Sequence, residues 1–253
     1  MANLIAIDTK IHSVLRWKRP SGFAFAAKNM TLPLLLGEMS RAVTAFPIGF
    51  LDTGNGFLPA ALLGLDEGCN FFVSPDGSWR GSHTPAVLGT YPFSLGQSEQ
   101  NVKVLCFDAD SGLVGEEGGP LFGEDGSLAP EISAILEVLT RMEGERQATL
   151  QASEILAKTG LIVPWEITIQ DGDESRKVAG LFKVDEAAMN ALADDDFLEL
   201  RKRGALPLAY CQLLSMQHLQ SLGRLRPVPV STREDAIAFL LAQGETIRFS
   251  GLI

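Results

Sequence analysis

Cys211, Ser215 and His218 recur at i, i+4 and i+7, so one helix face would carry two nucleophile types and a base. Leu214, Met216 and Leu219 surround them, and no strained turn of the G-x-S-x-G kind presents either nucleophile. The expectation is a packed helix whose Ser215 and His218 bond backbone or each other. Ser82 and His83 are adjacent, and neighbours on an extended chain point to opposite faces, so they do not act as a pair. His12, His83 and His218 are the only histidines, and no C-x-x-C or H-x-x-x-H spacing sets a zinc site. Asp108 and Asp110 begin like a calcium loop. That loop needs Gly at its sixth position and Glu at its twelfth, where this chain has Leu113 and Gly119. The glycines of residues 108–126 also lack the Lys-Ser/Thr of a phosphate loop. No catalytic residue, metal ligand or cofactor site is therefore assigned.

The stretch with most to offer a ligand is residues 79–93, WRGSHTPAVLGTYPF. Trp79, Tyr91 and Phe93 bring large apolar areas, and two of them carry a polar handle. Pro85 and Pro92 cannot donate ladder hydrogen bonds, so the stretch reads as an edge or looping wall. Trp79, His83, Tyr91 and Phe93 are the candidate binding residues, with Trp79 and Phe93 packed and His83 and Tyr91 at a rim. An enzymatic alternative gathers His83, Tyr91 and Asp108 from distant segments.

The elements that must position them divide at Ser127. Before it, residues 21–126 read as short antiparallel strands joined by tight loops, after an irregular lead-in over residues 1–20. Strands are expected at 23–27, at 43–51 interrupted by Pro47, within 57–65 and, most clearly, at 102–107. Residues 70–79 read as a hairpin turned by Asp76-Gly77. The glycine- and acid-rich residues 108–126 read as a solvated connection. From Ser127 the apolar period becomes helical through Ile132, Ile135, Leu136 and Leu139. Ser127 is the expected cap, Gly144 the expected break, and Gly160 the stop. A second hairpin is expected between 165–170 and 178–184, followed by helices opened by Asp185 and Asp194. Leu206 to Leu222 reads as an amphipathic helix, and Ser231 with Glu234 forms a capping box for a last helix to about Gly244. The fold class is α+β, a β-rich first half packed with a helical second half that contains one hairpin, in a single domain over residues 1–253.

Composition limits the partners. The formal net charge is −10, divided evenly: residues 1–126 carry 8 basic and 13 acidic side chains, and residues 127–253 carry 13 and 18. No basic face is implied, which argues against nucleic acid or an anionic membrane as partner. No window approaches the roughly 18 apolar residues of a membrane helix, and the N-terminus lacks the basic-then-apolar order of a signal peptide. Cys69, Cys106 and Cys211 are isolated in apolar surroundings and read as reduced, buried thiols, which suits the cytoplasm. A small-molecule or a protein partner fits equally, and nothing in the pattern specifies an oligomeric state.

The assembled pieces resemble the SapC family of bacterial proteins, named for a member associated with surface layers. The resemblance runs through Phe23-Ala24-Phe25-Ala26, Phe46-Pro47-Ile48-Gly49-Phe50, Asn70-Phe71-Phe72-Val73, Thr84-Pro85-Ala86, Tyr91-Pro92-Phe93, Leu121-Phe122, Gly180-Leu181-Phe182-Lys183-Val184-Asp185-Glu186, and Gly204-Ala205-Leu206 on to Leu214-Ser215. The chain departs from the pattern at His83 and at Gly89-Thr90, so no anion-binding arginine pair carries over. The resemblance supplies no catalytic residues. It implies a non-catalytic accessory or binding protein of a cell-surface or nutrient-uptake system, with a surface-layer component as a further alternative.

Overall fold

The computed structural model describes residues 3–98, 100, 102–171 and 174–226. The first half contains β1 (Leu4–Ala6), α1 (Thr9–His12), β2 (Arg16–Trp17), β3 (Thr31–Pro33), α2 (Met39–Ala42), β4 (Ile48–Asp52), β5 (Phe57–Leu62), β6 (Phe93–Gln97), β7 (Lys103–Asp108), β8 (Val114–Gly115) and β9 (Gly119–Pro120). The second half contains α3 (Pro130–Lys158), β10 (Ile162–Pro164), β11 (Ile167–Asp171), β12 (Glu174–Val178), β13 (Leu181–Val184), α4 (Glu186–Asn190), α5 (Asp194–Lys202), α6 (Ala205–Ser215) and α7 (His218–Arg224). The fold is α+β, and every strand pairing among the described residues is antiparallel. The expected helix at 231–244 lies outside the described residues.

Among the described residues the strands form an antiparallel sheet ordered β10-β13-β4-β5-β3, a second ordered β1-β7-β6, a small third ordered β8-β2-β9, and the hairpin β11-β12. β4 and β5 join through a turn in which Asp52 accepts from the Gly54 amide and Thr53 donates to the Gly56 carbonyl. β7 is the strand expected at 102–107, and it occupies the centre of its sheet.

Two apolar cores result. The larger gathers Leu34, Phe46, Ile48, Phe50, Leu62 and Phe71, all fully buried, under Ala152 and Leu156 of α3 and Leu208 of α6. The other gathers Trp17, Phe93, Leu105, Phe107 and Leu121 under Ile132 and Leu139 of α3. One long helix therefore roofs both, its first half over one core and its second half over the other.

Several local readings need correction. The lead-in is structured: β1 pairs with β7, and Trp17 is 4% exposed, because β2 is clamped between β8 and β9. Those two strands come from the stretch expected to be a solvated connection. Residues 24–26 form a 3-10 turn in place of a strand, since Phe23 donates its amide to Gly77 and Ala27 accepts from Asn70. Residues 43–45 continue the turn of α2, so only β4 remains of the expected strand at 43–51. α3 is capped at Ala129, with Ser127 bonded to Asp125, and it runs unbroken through Gly144. Gly180, at φ 82°, splits the second arm of the later hairpin. β12 returns beside β11, while β13 crosses to join β10 and β4. The helix expected at 206–222 divides at Met216 and Gln217 into α6 and α7. Of the cysteines, all three are free; Cys106 is buried, but Cys69 and Cys211 are only partly so.

Candidate functional site

Residues 79–93 begin at a turn. Ser74 donates to the Ser78 carbonyl, Asp76 accepts from the Ser78 amide and hydroxyl, and Gly77 takes φ 82°. The expected hairpin at 70–79 contracts to one antiparallel bridge between Val73 and Trp79. Trp79 stacks on Phe72 with centroids 5.6 Å apart and lies 5.5 Å from Phe23. Its Nε1 donates to the His83 carbonyl at 2.7 Å, which folds residues 79–83 into a loop around Gly81. A Cβ on Gly81 would sit 2.7 Å from that same Nε1, so the loop closes only over glycine. A 3-10 turn, Ala86–Thr90, follows, and the Tyr91-Pro92 peptide is cis.

The four candidate side chains do not converge. Trp79 and His83 face the larger core near Phe46. Tyr91 stacks flat on Phe25, centroids 4.0 Å apart, and its hydroxyl donates to Asp108 Oδ2 at 3.3 Å. Burial and the Asp108 charge push the Tyr91 hydroxyl above its ordinary pKa. Phe93 is 3% exposed, edge-on to Trp17, and serves as scaffold in the other core. Of the alternative trio, Tyr91 and Asp108 meet, whereas His83 is held elsewhere.

Its holder is Glu38, a residue that sequence reading passed over. Glu38 is 3% exposed. Its Oε1 accepts from the Leu35 amide at 3.0 Å, and its Oε2 accepts from the Ala86 amide at 2.9 Å and meets His83 Nε2 at 3.1 Å. A buried carboxylate is tolerated only when donors surround it, and here they come from two segments, Leu35 beside Glu38 itself and residues 83–86. The available signal was an acid set inside the apolar run LPLLLGEMSRAV. Glu38 thereby ties residues 83–86 to the turn Leu36–Glu38, which in turn bonds α3 through Leu36 N and Thr149 Oγ1 at 3.1 Å.

Beside Glu38 opens a cleft of about 370 Å³. Leu35 and Leu58 come from the larger sheet side, Leu95 from β6, Val87 from residues 79–93, and Leu139 and Met142 from α3. Its polar groups are Glu38 and a cluster of Lys103, Glu143 and Arg146. Arg146 grips Glu143 with two parallel hydrogen bonds of 2.7 and 2.8 Å, and Lys103 approaches at 3.2 Å. The Arg146 guanidinium first, with Lys103 and Gln147 adding, holds the Glu143 carboxyl down to about 2. An apolar hollow with a few convergent polar groups is the usual form of a small-molecule site. The cleft has no local sequence signature, because its walls come from six separated stretches, at residues 33–38, 58, 87, 95, 103 and 139–146.

The helix-face trio is structural. Ser215 Oγ accepts from the Ile48 amide at 2.9 Å and donates to the Gln212 carbonyl at 2.6 Å. His218 Nε2 lies 3.0 Å from the Val43 carbonyl, and burial pushes the Cys211 thiol up. Among the described residues no group of three or more His, Cys, Asp or Glu is placed to hold a metal. No described helix is long and apolar enough to cross a membrane. The family model described as SapC matches residues 7–222. No curated protein and no solved structure matches the chain.

Proposed function

The chain belongs to the SapC family, and on that premise we propose that it is a non-catalytic accessory protein that binds a small amphipathic molecule in the cleft along α3. The observation that carries this is the pairing of an apolar lining with Glu38 and the Lys103–Glu143–Arg146 cluster in a hollow of about 370 Å³. The ligand's apolar part lies against Leu58, Val87, Leu95 and Met142, and its polar end meets Lys103, Glu143 and Arg146. Residues 79–93 take part as a wall: Val87 touches the ligand, Trp79 and His83 fix the wall's position, Tyr91 forms its outer rim, and Phe93 anchors its end. Supporting the non-catalytic reading, the Ser215 hydroxyl and the His218 ring are both committed to backbone groups. The reading extends to a single folding unit, in the cytoplasm, serving a cell-surface or nutrient-uptake system; the three free thiols support that compartment.

The test is a thermal-shift and native mass-spectrometry screen of amphipathic acids, amines and amides, run on the protein and on Met142→Trp, which fills the cleft from a half-exposed helix position. A ligand at 100 times its Kd stabilises by about 2.7 kcal/mol. The expected result is a ligand that raises the melting temperature of the protein and leaves that of Met142→Trp unchanged. Equal shifts in both would move the site elsewhere, and no shift across the screen would remove the proposal.

A further inference from the structure

The charged groups of the cleft along α3 differ in what they can still bind. Glu143 is filled. Its Oε2 accepts from Arg146 Nε at 2.7 Å; its Oε1 accepts from Arg146 Nη2 at 2.8 Å and Gln147 Nε2 at 3.3 Å, and meets Lys103 Nζ at 3.2 Å. Four donors occupy the roughly four lone-pair sites of a carboxylate. Glu38 is committed as well, to the Leu35 and Ala86 amides and to His83, and is buried in the wall. The two cations are not filled. Among the described residues the Lys103 and Arg146 side chains meet no group but Glu143. An arginine carries five N–H donors and a lysine three. Glu143 takes the Nε–Nη2 edge of Arg146 and one ammonium proton of Lys103, which leaves the Nη1–Nη2 end of the guanidinium and two ammonium protons open. Both side chains line the cleft, Arg146 at 39% exposed and Lys103 at 44%. The open capacity of these charged groups is therefore donor capacity, and it is cationic.

We propose that the ligand of this cleft is an amphipathic monoanion whose carboxylate seats on the open end of Arg146 beside Lys103; the proposal rests on the cleft's being a ligand site. A guanidinium presents parallel N–H pairs that match the two oxygens of a carboxylate. Glu143 holds the first such pair side-on, and the second faces outward end-on. An amine fits poorly, because its counter-ion would be Glu143, already ringed by four donors and flanked by two cations. A primary amide offers its oxygen to the open donors, but its NH2 group finds no acceptor among Glu143 and Glu38, and a donor left without a partner weakens binding. The number of ligand charges follows from the same residues. Lys103, Arg146 and the Glu143 carboxylate sum to +1, and the Glu38 carboxylate stands in the same wall. One negative charge on the ligand is neutralised there. A second, as on a phosphate monoester, would lie unpaired in a hollow lined by Leu58, Val87, Leu95 and Met142. Those four side chains receive the apolar tail.

The experiment uses probes that share one chain and differ in the head: octanoate, octylamine, octanamide and octyl phosphate. Each is titrated by calorimetry at about pH 7, where a phosphate monoester carries nearly two negative charges, into the full chain and into Met142→Trp, Arg146→Gln and Lys103→Gln. Octanoate is expected to bind at least about tenfold more tightly than the other three, the weight of one hydrogen bond to a charged group. Arg146→Gln and Lys103→Gln should each weaken octanoate about tenfold or more, and Met142→Trp should bind none of the probes. If Arg146→Gln does not fold, Lys103→Gln, which keeps the Arg146–Glu143 pair, carries the same comparison. Octylamine, octanamide or octyl phosphate binding as tightly as octanoate, and lost in Met142→Trp, overturns the monoanion and leaves the cleft as the site. Octanoate affinity unchanged in the charge variants also overturns it. Octanoate binding that persists in Met142→Trp, or no binding by any probe, overturns both the monoanion and the cleft.

Discussion

Glu38 offers the most direct test of how the candidate wall is held. Its carboxylate is 3% exposed and accepts from Leu35 N and Ala86 N while pairing with His83. Glu38→Gln keeps the size but replaces one oxygen with an NH2 group. Whichever way the amide turns, that NH2 points at a backbone N–H, so a donor faces a donor at Leu35 or at Ala86. One buried donor left unsatisfied costs about 1–3 kcal/mol. Glu38→Ala leaves both amides and the imidazole without their acceptor and should cost roughly 3–5 kcal/mol, the range for breaking a buried pair. Urea unfolding of the protein, both variants, His83→Ala and the double variants would measure this at constant m. The cycle between Glu38→Ala and His83→Ala should give a coupling of about 0.5–3 kcal/mol, since the partners touch. If Glu38→Gln unfolds within about 0.5 kcal/mol of the unaltered protein, the size of an ordinary surface change, the carboxylate is not the clasp described above.

Four other outcomes follow from the same geometry. Glu143 has its pKa lowered to about 2 in the folded chain from 4.5, so its contribution is full above about 4.5 and is lost as pH falls toward about 2. Because the cluster is partly solvated, Glu143→Gln should lower stability by only about 1 kcal/mol at pH 7 and by nothing near pH 2; an equal deficit at both, by urea titration, would refute the pairing. Gly144 lies mid-helix, and apart from its chain neighbours and the backbone of its own helix no atom lies within 4 Å of a would-be Cβ, so Gly144→Ala should stabilise by about 0.5–1 kcal/mol, read from the melting temperature. At Gly64 a Cβ would fall 1.9 Å from the Cys69 carbonyl oxygen, and Gly64→Ala should cost about 1–3 kcal/mol or more through backbone displacement; a neutral result in urea would contradict the close approach. Trp17 lies in one core and Trp165 in the other; if the chain unfolds as one unit, single-tryptophan variants and far-UV dichroism give coincident transitions, whereas separated midpoints would divide it.

The legible parts of the fold are those whose causes are local. β7 showed as an apolar run, α3 as a 3.6-residue period, and α5 as three acids followed by Arg201 and Lys202, matching its dipole. Asp185 caps α4 through the Ala188 amide as its position suggested. What could not be read depends on partners far away in the chain. FAFAA has a strand's composition, yet Phe23 is fixed by Gly77 and Phe25 by Tyr91. Trp17 looked like a lone anchor on a solvated arm, yet β8 and β9 are more than ninety residues away and bury it. Glu38 is the same case at the site. Its value comes from Ala86 and His83, whose nearness no spacing announces.

The 29 residues of α3 form a shaft of about 44 Å. Ile132 and Leu139 engage one core, and Ala152 and Leu156 engage the other. The cleft sits on the intervening turns, at Met142, Glu143 and Arg146. A shaft seated at both ends transmits rotation. Any roll of the middle of α3 would turn Ile132 and Leu156 in the same sense, so both cores would have to reseat together. Exchanging either core for a differently packed version would require re-phasing the whole helix.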